Sequence, residues 1–112
     1  MGLYEINRSC TACPLSEGCQ GPVPAVGQGK VMLIGEAPGR NEDVKGQPFT
    51  GDAGKYLDSV LESVGVARKD VIISNVVKCR PLRNRTPTKA EADFCSARWL
   101  DVEIEMHKPE II

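Results

Sequence analysis

Val71-Ile72-Ile73-Ser74-Asn75-Val76-Val77, running straight into Lys78-Cys79-Arg80-Pro81, is the stretch that decides the fold. Its β-branched, almost continuous apolar character reads as a strand buried on both faces, as in a parallel sheet. Asn75 puts an amide inside that run, and a buried amide needs partners, either backbone groups or a ligand. Upstream, Ala53, Tyr56, Leu57, Val60, Leu61 and Val64 fall at i, i+3, i+4, i+7, i+8 and i+11, the pattern of an amphipathic helix closed by Gly65 at the C′ position. Before it, Lys30-Val31-Met32-Leu33-Ile34, ending at Gly35, reads as another buried parallel strand. Strand, helix, strand in this order is a βαβ unit with parallel strands and a right-handed crossover.

Downstream, Thr88 starts a helix, because Glu91 three positions later completes a capping box. That helix carries Phe94, Cys95 and Leu100 and runs to about Met106; Pro109 stops it, and Glu110-Ile111-Ile112 reads as the opening of a third strand. Residues 1–29 read as irregular, punctuated by Pro14, Pro22, Pro24 and several glycines. The fold class expected is therefore α/β, a βαβα core over residues 30–112.

The chain has 112 residues with 14 Lys+Arg against 15 Asp+Glu, a formal charge of −1, and its hydrophobic share of 41% belongs to a globular chain of one domain at most. No apolar run approaches the ~20 residues of a membrane helix. Met1-Gly2-Leu3-Tyr4-Glu5-Ile6 lacks the charged and apolar regions of a signal peptide, so a cytoplasmic location is expected. The near-zero charge argues against coating nucleic acid by bulk charge, but not against a local patch. Between Lys78 and Lys89 the chain holds five basic residues, Lys78, Arg80, Arg83, Arg85 and Lys89, and no acid, mostly in a loop.

In a reducing compartment cysteines stay reduced, so the five here read as metal ligands rather than as a disulfide framework. Cys10-Thr-Ala-Cys13 has a chelating spacing, and Cys79 and Cys95 offer two further thiolates. Four thiolates suit either zinc or an iron–sulfur cluster, and a single tight pair leans toward the cluster. The plainer alternative makes Cys79 and Cys95 small buried hydrophobes. Cys19 is the odd one out.

Two loops leave the carboxyl ends of the strands, where open α/β sheets bind ligands. Gly35-Glu36-Ala37-Pro38-Gly39 is neither a Walker loop nor a dinucleotide fingerprint. It reads as a tight turn or a close approach to a ligand, with Glu36 supplying a carboxylate. In Gly46-Gln47-Pro48-Phe49-Thr50-Gly51, Phe49 is either a stacking platform for a flat ring or a core anchor. The basic loop after the second strand is either a phosphate contact or a solvated surface.

Together, Gly35-Glu36-Ala37-Pro38-Gly39, the Phe49 loop, Asn75, Cys79-Arg80-Pro81-Leu82-Arg83-Asn84-Arg85-Thr86-Pro87 and Cys10-Thr-Ala-Cys13-Pro-Leu closely resemble the type-4 uracil-DNA glycosylases. The resemblance runs from about Asn7 to Ile112, and relatives of phage DNA polymerases share the same domain. It implies a three-layer αβα architecture around a central parallel sheet, of which this chain is the N-terminal portion. It implies a [4Fe-4S] cluster held by Cys10, Cys13, Cys79 and Cys95, with a structural role, and no role for Cys19. Its implied chemistry is hydrolysis of the N-glycosidic bond of a deoxyuridine flipped out of DNA.

The implied uracil pocket consists of Gly35, Glu36 and Ala37, Phe49 stacking on the ring, and Asn75 reading its edge. Glu36 would orient the attacking water and Asn84 would assist bond cleavage. Arg83 and Arg85, with Lys78 and Arg80 beside them, would contact phosphates. The implied partner is uracil-containing DNA, with no membrane and a monomeric protein. The family's second motif, His-Pro-Ser-Pro or similar after a further strand, does not occur in this sequence, whose one histidine is His107. Little or no excision is therefore expected of these 112 residues alone. The rival readings are an electron-transfer ferredoxin-like module and a non-catalytic iron–sulfur nucleic-acid-binding domain.

Overall fold

A computed structural model of the chain describes residues 21–112. Cys10, Cys13 and Cys19 lie outside the described residues. In chain order the elements are β1 (Val26–Gly27), β2 (Met32–Gly35), α1 (Arg40–Lys45), α2 (Asp52–Ser63), β3 (Ile72–Asn75), α3 (Lys89–Cys95) and α4 (Asp101–His107). A π-turn, Ser96–Leu100, joins α3 to α4, and short 3₁₀ turns occupy Arg68–Asp70 and Leu82–Asn84.

The two strands read from the sequence pair in parallel, with Met32 beside Ile72 and Gly35 beside Asn75. The opening of the third strand also forms: Val31 bridges Ile111 in parallel, and the Met32 N–H donates to the Ile111 carbonyl at 2.9 Å. One edge departs from expectation. β1 lies antiparallel to β3, so the order is β1-β3-β2 and the sheet is mixed. Two residues set among Pro22, Pro24 and Gly29 carry no alternation that a pattern could detect, which is why this segment read as irregular.

Side chains alternate along β3, and the core divides accordingly. Ile72, with Met32, packs against Leu100 and Ile104 of the C-terminal helical segment; Ile73, with Val71, packs against Leu61 and Leu57 of α2. Each fully buried isoleucine contributes on the order of 2–3 kcal/mol, so the apolar run around β3 anchors helices to both its faces. The α2 terminus is a Schellman arrangement: the Val66 N–H donates to Leu61 O at 2.9 Å, and the Gly65 N–H to Glu62 O at 3.0 Å, with Gly65 at φ 75°. The Thr88 capping box is present, with the Glu91 N–H donating to Thr88 Oγ1 at 3.1 Å and the Thr88 N–H to Glu91 Oε1 at 2.9 Å. Among the described residues no helix is long and apolar enough to cross a membrane.

Candidate functional site

β2 and β3 end level with each other, and the ladder continues past them. The Val76 N–H donates to Gly35 O at 2.9 Å and the Val77 N–H to Glu36 O at 3.0 Å. Those bonds hold Gly35, Glu36 and Ala37 against the carboxyl end of β3, where Asn75 is 2% exposed. Here lies a cavity of about 180 Å³ lined by Glu36, Ala37, Glu42, Phe49, Ala53 and Asn75. Gly35 allows it to form. A Cβ there would come within 2.5 Å of both Asn75 Oδ1 and the Phe49 ring, so only glycine lets the amide and the ring converge.

Phe49 is a core anchor that also faces the cavity. Its ring packs on the cluster of Leu61, Val71 and Ile73 and also walls the cavity. Its backbone is left-handed at φ 54°, a conformation that costs a bulky residue on the order of 1–3 kcal/mol and must be imposed by its surroundings. Three contacts impose it. Gly54 has no side chain, and a Cβ there would stand 1.8 Å from Phe49 O. The Arg68 guanidinium donates to Pro48 O. Glu42 accepts from Gly39 N at 2.9 Å, Thr50 N at 2.7 Å and Gly51 N at 2.6 Å, tying the start of α1 to the start of α2.

Burial pushes the Glu42 carboxyl up, but the N–H groups of Gly51, Thr50 and Gly39 outweigh it and hold the acid below its ordinary 4.5. Sequence reading passed over Glu42 and the helix α1 that presents it. The available signal was a glutamate three residues after Gly39. It forms half a capping box, and a glycine N-cap has no side chain to complete the pattern.

The basic loop has a different character. Arg80 Nε donates to Asn84 Oδ1 at 2.7 Å, and Arg83 and Asn84 are both left-handed, at φ 55° and 58°. Asn84 is exposed and does not line the cavity. Arg85 pairs with both oxygens of Glu91, each at 2.8 Å; Arg85 and the Thr88 N–H bring that acid down to about 2. Arg83 is exposed, and among the described residues its guanidinium has no partner. Lys78 is a correction. It is fully buried, its ammonium bonded to Glu103, Ser74 and Asn75 O, and it is not available to a phosphate. His107 ends α4 and does not line the cavity.

Cys79 and Cys95 are both buried, at 4% and 6% exposure. The Lys78 N–H donates to Cys95 Sγ at 3.3 Å, which brings Cys95 against the residue preceding Cys79. Two buried thiols brought this close to one backbone segment are the soft donors that a thiolate-bound centre takes.

The Uracil DNA glycosylase superfamily model matches residues 24–112. A type-4 uracil-DNA glycosylase of Archaeoglobus fulgidus is 46% identical over 106 residues, covering 93% of this chain and 53% of that protein. Another, from Pyrobaculum aerophilum, is 46% identical over 112 residues, covering 98% of this chain and 57% of that protein. A DNA polymerase of Bacillus phage SP01 is 35% identical over 96 residues, 81% of this chain and 10% of that protein. The chain spans about half the length of the curated type-4 relatives it matches. With the family model spanning β1 to the third strand, the chain belongs to the uracil-DNA glycosylase superfamily.

Proposed function

We propose that these residues form the base-reading part of a uracil-DNA glycosylase, a hydrolase that removes uracil from DNA in the cytoplasm and begins its repair. The observation that carries this reading is the cavity at the carboxyl ends of β2 and β3, where Glu36, Ala37, Phe49 and Asn75 converge. Its small volume suits a single extruded base rather than a whole nucleotide. Phe49 stacks on the ring. Asn75 donates to O4 and accepts from N3–H, a pattern that cytosine reverses, so a buried amide with no other side-chain partner among the described residues rejects cytosine. Glu36, at the mouth, orients water toward the sugar carbon, and Asn84 acts on the leaving group once the basic loop closes on DNA. Arg83 and Arg85 meet phosphates, Arg85 with Glu91 as its anchor.

The [4Fe-4S] cluster would be held by Cys79 and Cys95 with Cys10 and Cys13, and it would supply structural cross-linking rather than redox chemistry. We take the architecture to be the three-layer αβα form, with helices on both faces of a sheet that is parallel beyond β1.

The test is a binding titration with oligonucleotides that differ only in uracil or thymine at one position. The uracil oligonucleotide is expected to bind more tightly, and Asn75→Asp to abolish the difference. Equal affinities, each falling steeply with salt, would overturn the reading in favour of a non-catalytic nucleic-acid-binding domain.

A further inference from the structure

Directly beneath Asn75 lies an ion pair that the reaction does not use. The Lys78 ammonium has three N–H groups and three acceptors: Glu103 Oε1, Ser74 Oγ, and the main-chain carbonyl of Asn75 at 2.8 Å. Glu103 is equally satisfied. Its Oε1 also accepts from Ser74 Oγ at 2.7 Å, and its Oε2 accepts the Ala25 N–H at 2.8 Å. Both side chains are 1% exposed. A buried ion pair is seldom a net gain in stability over apolar residues of the same volume, because desolvation offsets the attraction. What it does provide is fixed geometry, and here the fixed point is the carbonyl of the residue that faces the cavity.

The π-turn is what brings Glu103 to this place. Lys78 is gripped twice by one helical segment: its backbone N–H by Cys95 Sγ, and its ammonium by Glu103. Those two residues stand at i and i+8. In an unbroken α-helix such positions diverge by about 80° around the axis. The extra residue in the Ser96–Leu100 turn reduces the divergence to about 20°, so both reach Lys78 from the same face.

We propose that Lys78 and Glu103 are positioning residues for uracil recognition, set beneath Asn75 by the π-turn so that its amide is held toward Gly35 and Phe49. This rests on Asn75 reading the base, as argued above. It deepens that reading by naming what fixes the angle of the amide.

The experiment compares the metal-loaded wild-type chain with Lys78→Met, the double variant Lys78→Met/Glu103→Gln, and Ser74→Ala. The single Lys78 variant strands a buried carboxylate and is expected to fold poorly. The double variant removes both charges and keeps an acceptor for the Ala25 N–H. Its thermal midpoint is expected to stay within about 8 °C of wild type. Its preference for the uracil over the thymine oligonucleotide is expected to fall about tenfold, the scale of one misplaced hydrogen bond. The side-chain amide resonance of Asn75 is expected to shift in the double variant and, by less, in Ser74→Ala. An unchanged preference and an unmoved amide resonance in whichever of these variants folds would overturn the proposal. If the wild type itself shows no uracil preference, the functional reading fails, and the amide resonance still decides whether the pair positions Asn75.

Discussion

The loops after β2 and β3 leave the same edge of the sheet and are built in opposite ways. The first, residues 35–51, is tied inward. Glu42 collects three backbone N–H groups from both its halves, Pro48 is held by Arg68, and Phe49 is forced into a left-handed conformation with its ring on the core. The second, residues 78–88, is anchored at its two ends, by buried Lys78, Cys79 and Pro81 and by the Thr88–Glu91 box, and exposed over residues 82–86. A loop that must hold an aromatic ring at a fixed angle to an amide requires internal bonds. A loop that meets a phosphate backbone needs charge and room to adjust. On the proposed function, the difference would give shape recognition to the first loop and electrostatic contact to the second.

The sharpest way to break this comparison is Gly54→Ala. The new Cβ would stand 1.8 Å from Phe49 O and 2.2 Å from its carbonyl carbon, both backbone atoms that cannot swing aside. Unfolding by denaturant is expected to register a loss of about 3 kcal/mol or more, the upper range for overpacking. A cost within the noise would mean that the first loop tolerates displacement and is not rigid.

Next comes Glu42→Gln, which keeps the shape but weakens charge-assisted bonds to Gly39, Thr50 and Gly51, at an expected cost of about 2 kcal/mol. The pH dependence follows from the sign of the shift. The folded-state pKa of Glu42 lies below 4.5, so its contribution is complete above that value and is lost as pH falls through the depressed pKa. A pH series of denaturation curves should therefore show the wild type losing more stability than the Gln variant on the acid side of 4.5. Parallel curves would sink the clamp.

The sequence disclosed most of what depends on periodicity. The parallel pairing of β2 and β3, the end of α2 at Gly65 and the Thr88 cap all follow from local patterns that tertiary packing reinforces. The pocket was legible in part. Phe49 and Asn75 stood out as the wrong residue types for their segments, and the structure brings them together over Gly35. What was hidden depends on contacts distant in sequence. α1 is too short to show a period, β1 is a two-residue edge, and the π-turn leaves no trace in apolar spacing because Leu100 and Ile104 still face the core. Lys78 was misread for the same reason. A lysine in a basic run looks solvated until its partner, Glu103, arrives from a helix well downstream.

Smaller effects sharpen the contrast from the side of the second loop. Thr88→Ala removes the oxygen that receives the Glu91 N–H, and is expected to cost about 1 kcal/mol by denaturation. The change also loosens Glu91, whose carboxylate holds Arg85. The exposed arginine should cost almost nothing. Arg83→Ala is expected to change stability by no more than about 0.5 kcal/mol, because its guanidinium has no partner among the described residues. Its effect should appear only with DNA present: weaker binding to uracil and thymine oligonucleotides alike, and a salt dependence shallower by about one counterion. Loss of uracil preference in Arg83→Ala would contradict the proposed division of labour, because an electrostatic contact lowers both affinities by the same factor, while the proposed Phe49–Asn75 base site would change their ratio.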